Sequence, residues 1–228
     1  TEIKITGLQQ PVEIILDAYG INHIYAQNEH DLFFAQGYCA AKDRLFQFEL
    51  WRRQATGTVA EILGSREIKR DIGARLFKFR GNLEQEFNHY HPRGSQIIKA
   101  FTKGINAYVN ETLVNPKLLP LEFSLLNIKP GLWTPEIVIS RHQGLLRNLN
   151  DEVSNARAVA ALGAEKVKEL KSLHPGDARL ELDAKINQPA LSKEIIELYK
   201  AFRDPLVFTP KDLSISANTN SKNYEYLA

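Results

Sequence analysis

Val12-Glu13-Ile14-Ile15-Leu16-Asp17-Ala18-Tyr19-Gly20-Ile21-Asn22-His23-Ile24-Tyr25 is the stretch that decides the fold. β-Branched and aromatic residues stand on both sides of a short turn ending in glycine, the pattern of a β-hairpin. No later segment reads as a third strong strand. An isolated two-stranded hairpin is marginal in water unless more strands or a helix layer cover it, so this one is expected to join a sheet made by another polypeptide.

Outward from the hairpin the chain reads helical. Asn28, three residues before Asp31, forms a capping pair, and Leu32, Ala35, Cys39, Phe46 and Leu50 make an apolar stripe that runs to Gly57. Thr58 to Leu63, closed by Gly64, is a shorter helix, whereas Ser65 to Gly81 is charged and weakly periodic and reads as irregular or short helical structure. Asn82 to Tyr90 is a helix stopped by Pro92. Ile97, Ile98, Phe101, Ile105, Tyr108 and Val109 follow the spacing of one buried face between Ser95 and Leu113. Beyond a loop from Asn115 to Lys129, Thr134-Pro135-Glu136 supplies a cap, a proline at the first helical position and an acid in the first turn, for a helix running towards Asn148. Asp151 to Leu162, Glu165 to Leu173 and Lys193 to Phe202 give three more. From Thr209 to Ala228 the sequence is polar, turn-forming and aperiodic, a linker remnant or mobile tail behind a body of residues 1–208. The expected class is α+β, a hairpin followed by about seven helices.

Composition excludes several functions. The 228 residues are 43% hydrophobic and 25% charged, enough to bury roughly 70–75% of the unfolded surface without metal or disulfide staples. A single cysteine, Cys39, leaves no internal disulfide. No run approaches the ~18 apolar residues of a membrane-spanning helix. Net charge is +2, and the basic pairs Arg52-Arg53 and Lys69-Arg70 are isolated, so there is no footprint for nucleic acid. The chain contains no methionine and opens on Thr1, which points to a processed or trimmed start.

Catalytic signatures are missing too: no nucleophile elbow, phosphate loop, paired cysteines or metalloprotease helix. His89-x-His91 could bind metal, but Pro92 follows and no third ligand is near, so a solvated helix end is the simpler reading. His23 reads as a packed or hydrogen-bonded strand imidazole. Thr1 could activate its own hydroxyl through its α-amino group, although its context is that of a frayed terminus. Asn110-Glu111-Thr112 matches a glycosylation acceptor inside a helix. Glu152 lies in the first turn of its helix, where the dipole favours a carboxylate. As a calcium ligand it would need oxygens from elsewhere, because that ion takes six to eight.

Longer blocks carry a resemblance. Asp17 to Ala26, Ala35-Gln36-Gly37-Tyr38, Lys42-Asp43-Arg44-Leu45-Phe46-Gln47-Phe48-Glu49-Leu50-Trp51-Arg52-Arg53 and Gly57-Thr58-Val59-Ala60-Glu61-Ile62-Leu63-Gly64 resemble the start of penicillin acylases. So do Gly104-Ile105-Asn106-Ala107, Leu119-Pro120-Leu121-Glu122-Phe123 and Lys129-Pro130-Gly131-Leu132-Trp133-Thr134-Pro135-Glu136. The likeness spans most of residues 12 to 163 and fades after Pro175.

The resemblance implies the α subunit of a secreted or periplasmic Ntn-hydrolase. Its precursor cuts itself into α and a larger β subunit, whose new N-terminal Ser is the nucleophile. It implies an αββα core built mainly by β, which this hairpin joins, and an acyl amide substrate such as a β-lactam side chain or an acyl-homoserine lactone. Leu145, Leu146, Arg147 and Leu149 fall where the family lines its acyl pocket. Relatives carry an Arg followed by an aromatic there; here the Arg is displaced by a residue and the aromatic is absent, so an aliphatic acyl group is as plausible as phenylacetyl. Glu152-Val153-Ser154-Asn155 resembles the family's calcium-ligand segment, with Glu152 as the ligand. The alternative to a catalytic subunit is a non-catalytic helical binding module that kept the scaffold.

Overall fold

The computed structural model describes residues 2–143, 148–172, 179–186, 191 and 193–217. Strands β1 (Glu13–Leu16) and β2 (Asn22–Tyr25) pair antiparallel, Glu13 opposite Tyr25 and Leu16 opposite Asn22, and make up the whole sheet among the described residues. Asp17 builds the turn: its Oδ1 accepts from the N–H groups of Tyr19 and Ile21, both at 2.9 Å, and Oδ2 lies 3.0 Å from His23 Nε2. Asn22 Nδ2 donates to Asp43 Oδ2 at 2.7 Å and ties the hairpin to the helices. Every residue of β1 is exposed, on both faces.

Eleven α-helices follow among the described residues. They are α1 (Glu29–Thr56), α2 (Ala60–Leu63), α3 (Ile68–Leu76), α4 (Leu83–His89), α5 (Gly94–Val114) and α6 (Leu121–Leu125), then α7 (Pro135–Gln143), α8 (Leu149–Leu162), α9 (Ala164–Leu170), α10 (Glu197–Arg203) and α11 (Pro210–Ala217).

The start of α1 is the expected cap with an added twist. Asn28 Oδ1 accepts from Asp31 N at 2.8 Å, but the Asp31 carboxylate does not return to Asn28 N–H as a capping box would. It turns inward, fully buried, and accepts from Gln9 N at 2.9 Å and Gln10 N at 2.8 Å. Burial alone would raise this carboxyl's pKa; hydrogen bonds from Gln9, His30, Asn28 and Gln10 outweigh burial and bring it down to about 2. With Asp31 inward, neighbouring Leu32 faces solvent, so the core face of α1 runs through Phe34, Ala35, Tyr38, Cys39, Ala41, Leu45 and Phe48 instead. Helical geometry breaks once, at exposed Arg44.

Helices α1 and α5 touch through their backbones. A Cβ on Gly104 would lie 1.9 Å from Phe34 O, and one on Gly37 would lie 2.1 Å from Phe101 O, so only glycine permits this approach. Around the seam Tyr38, Leu45 and Phe48 of α1 meet Ile105, Tyr108 and Val109 of α5, with Phe123, Trp133 and Ile137 closing the cluster. Buried rings and aliphatic chains of this size each contribute about 1.5–3 kcal/mol relative to exposure.

Below the seam sits a buried acid. Glu49 accepts from Arg52 at 2.7 and 2.9 Å, from Arg53 Nε at 2.7 Å and from Gly131 N at 2.9 Å, pinning the Lys129–Gly131 loop to α1. α1 ends at Gly57 in the left-handed conformation, φ 66°, where a side chain would press on Asp71 O. Asp71, from α3, caps α2 from outside by accepting the Val59 and Ala60 N–H groups at 2.9 and 2.8 Å.

The charged stretch 65–81, read as irregular or short helical structure, holds a 3-10 turn and the short helix α3; its buried face includes hydrogen-bonded Arg70 and Asp71, which hides the apolar period. Two expectations are corrected. The loop 115–129 contains a 3-10 turn, Pro116–Leu118, and the short α6, whose Phe123 is buried to 1% exposure. The polar segment after Thr209 begins with helix α11.

That last helix is clamped. Arg66 donates to both Asp212 oxygens, at 2.8 and 2.9 Å, and to Val207 O, while Arg70 holds the Asp204 and Pro205 carbonyls. Arg66 foremost, against a smaller opposing effect of burial, holds the Asp212 carboxyl well below the usual range. Upstream, α10 lies on α3 where Gly73 admits Leu198 O.

Candidate functional site

The site expected from sequence lies where α7 ends and α8 begins. The approach to α7 is fixed two residues before its start: Asn106 of α5 brackets Trp133, its Oδ1 accepting from Trp133 N and its Nδ2 donating to Trp133 O, each at 2.8 Å. Ile137 and Ile139 then turn into the core and Glu136 pairs with Lys78 at 2.6 Å. Rings of Trp133 and Phe48 lie 5.1 Å apart, and those of Phe48 and Trp51 5.6 Å apart. This ladder leads from the core to the last turn of α7, where the Arg141 guanidinium sits 5.0 Å from the centre of the Trp51 ring.

Leu145, Leu146 and Arg147 lie outside the described residues. Leu149 is the first residue of α8 and is half-buried. Glu152 stands in the first turn of α8 as expected, its N–H bonded to Asn148 O at 2.9 Å and its side chain exposed. Among the described residues no three His, Cys, Asp or Glu side chains gather as a metal-binding group. Calcium takes six to eight oxygens, so Glu152 fits it as one contributor to a site completed from elsewhere, and the described residues do not form a whole cage.

Sequence reasoning passed over two polar groups here. The Ser140 hydroxyl is buried and has no hydrogen-bond partner among the described residues. Arg141 is half-buried; burial first, and the charge of Arg203 second, lower its pKa. The signal was present in Ile137-Val138-Ile139-Ser140-Arg141, a cation closing an apolar run.

Other candidates resolve simply. His91 Nδ1 accepts from Arg93 N at 3.1 Å and both His89 and His91 are exposed. His23 is hydrogen-bonded to Asp17. Thr112 is wholly buried and its hydroxyl donates to Val109 O at 2.7 Å. Thr1 lies outside the described residues. No described helix is long and apolar enough to cross a membrane.

The family model for penicillin amidase matches residues 11–219, well past the point where the resemblance fades to the eye. Penicillin G acylase of Escherichia coli is 35% identical over 159 residues, 69% of this chain and 19% of that protein. The penicillin acylase 2 proenzyme of Pseudomonas sp. strain SE83 is 30% identical over 225 residues, 97% of this chain and 29% of the proenzyme. Acyl-homoserine lactone acylase QuiP of Pseudomonas aeruginosa is 30% identical over 183 residues, 78% of this chain and 21% of that protein. The chain therefore spans under a third of the length of these curated relatives. Among solved structures, the thermostable penicillin G acylase from Alcaligenes faecalis superposes with a TM-score of 0.58 at 25% identity, over 79% of this chain and 98% of that one. The match over residues 11–219, with the same helical architecture in a solved acylase, makes this chain a member of the penicillin amidase family.

Proposed function

We propose that this chain is the α subunit of a secreted or periplasmic amidohydrolase that cleaves an acyl amide bond, either the side chain of a β-lactam antibiotic or an N-acyl amide such as an acyl-homoserine lactone. The nucleophile is the N-terminal Ser of a larger β subunit. The observation that carries this reading is β1: an apolar strand exposed on both faces, in a sheet of two strands among the described residues, belonging to a chain that spans 19–29% of its relatives' length. A partner sheet answers that exposure. The near-complete coverage of a solved acylase chain, 98%, supports a separate subunit of this size.

On this reading the chemistry divides between the subunits. The α-amino group of the β-chain Ser takes the proton from its own hydroxyl, and an oxyanion hole stabilises the tetrahedral intermediate. This chain supplies the acyl-side wall: Leu145, Leu146 and Leu149 as apolar lining and Arg147 at the mouth, in keeping with pockets that are largely apolar with few orienting polar groups. Glu152 gives one oxygen to a calcium ion shared with β, which stabilises the assembled state alone.

The intact mass of the native preparation tests the reading. It should show a second, larger chain beginning with Ser beside the 25.9 kDa chain. A lone folded chain of that mass would favour the helical binding module. Within the assembled enzyme, Leu146→Phe should shift kcat/KM ratios between phenylacetyl and straight-chain amides by more than twofold, since a methylene of fit is worth about 1–3 kcal/mol. Glu152→Gln should lower bound calcium by elemental analysis while leaving the nucleophile intact.

A further inference from the structure

Arg52 is matched by Glu49, Arg53 by Glu49 and Glu61, and Arg70 by Glu67, while half-buried Arg157 donates to Leu191 O. No acid among the described residues meets Arg141. Its guanidinium rests on Trp51 at the end of the aromatic ladder, and among the described residues the charge that acts on it is a like one, Arg203, which also lies 5.9 Å from the centre of the Tyr199 ring. Such a cation, half removed from water with no anion, is costly, and a second cation nearby adds to the cost. One residue earlier the buried Ser140 hydroxyl also lacks a partner among the described residues. A helical serine ordinarily returns its hydroxyl to the carbonyl one turn back. Two polar groups on the last turn of α7 are thus left unanswered. Successive helical positions face about 100° apart, so they mark a helix end awaiting contact rather than one pocket.

The cation–π contact limits what fits. A guanidinium over an indole ring still has its forked N–H donors to offer, and that fork matches the two oxygens of a carboxylate. We propose that Arg141 is the docking point for an Asp or Glu side chain of the polypeptide that completes this protein, received on the guanidinium within reach of the Arg203 charge. The inference rests on the reading above that further chain covers this one. The shortness of the chain against its relatives supplies such a chain, and charge complementarity selects an acid from it.

The test uses the complete assembled protein with Arg141→Met, which keeps the aliphatic stem and removes the charge, and Arg141→Lys, which keeps the charge and loses the fork. Association of the two chains is read by native mass spectrometry against urea and against NaCl. Arg141→Met should weaken association about tenfold or more and flatten its salt dependence; Arg141→Lys should fall between it and the wild type. Unchanged association, within twofold, overturns the proposal. So does unchanged association combined with a selective loss of kcat/KM for carboxylate-bearing amides, which would make the anion a small molecule. If Arg141→Met does not assemble, Arg141→Lys and the salt slope of the wild type decide: a wild-type slope of zero overturns the proposal. A preparation found to be one unbroken polypeptide removes the two-chain reading. The docking is then judged by whether Arg141→Met flattens the salt dependence of the thermal midpoint.

Discussion

The seam between α1 and α5 and the hairpin that precedes it stand at opposite extremes. At the seam two helix backbones touch through Gly37 and Gly104, and Leu45 and Ile105 beside them are 1% and 0% exposed. In the hairpin, Leu16 is 63% and Ile15 48% exposed, and the strands are held to the helices by Ile24, packed against the core, and by the Asn22 bond to Asp43. Both are apolar stretches of one chain. The seam is apolar because it is finished; on the function proposed above, the hairpin is apolar because a partner sheet covers it, the usual meaning of an exposed apolar strand. Within one sequence, burial separates residues that hold this chain together from residues offered outward.

Substitutions sharpen that contrast in descending order of effect. Glu49→Ala takes from Arg52 its acid partner, leaves Arg53 with Glu61 alone, and frees Gly131 N–H. It should cost about 3–5 kcal/mol, read as a lower denaturation midpoint of the complete protein. Gly104→Ala forces α1 and α5 apart by the overlap with Phe34 O and should cost about 3 kcal/mol; a loss below about 0.5 kcal/mol would mean the seam yields freely. Asp31→Asn should cost about 2 kcal/mol at pH 7. The folded carboxyl is at about 2, below its unfolded value near 3.9, so its contribution is complete above about pH 4 and lost as pH falls towards 2. The variant should therefore show a shallower acid limb than the wild type across that window. Ile15→Thr, on the exposed strand, should change the stability of this chain by less than about 0.5 kcal/mol yet, on the proposed two-subunit reading, weaken its association with the β subunit. A large intrinsic loss there would erase the distinction between the two regions.

Elements governed by neighbours in sequence were legible without coordinates. The hairpin, the Asn28–Asp31 cap, the proline start of α7 and the face of α5 all rest on chemistry within a few residues. The glycine contact of α1 with α5, the capping of α2 by Asp71 and the arginine clamps on the C-terminal segment join residues about a dozen to over a hundred positions apart, and no local period announces them. α3 was obscured because its buried face carries charges that satisfy one another. At the site, Glu152 was placed by its helix start, while Leu145, Leu146 and Arg147 rest on family resemblance. Arg141 was missed because a cation at the end of an apolar helix reads as a solvated tip until Trp51, distant in sequence, is found beneath it.

The clamp of Arg66 on Asp212 closes 146 residues of chain, whereas the Asn28 cap closes three. Loop-closure entropy grows slowly with length, so the long clamp is affordable at equilibrium, but contacts of this separation are the last to form in time. A chain that emerges from the ribosome N-terminus first can assemble hairpin, α1 and α5 before α10 and α11 exist. During that interval the groove at Gly73, and the Arg66 and Arg70 side chains, stand open. Kinetically, residues 197–217 act as a latch, the segment whose docking comes late in the folding of this chain.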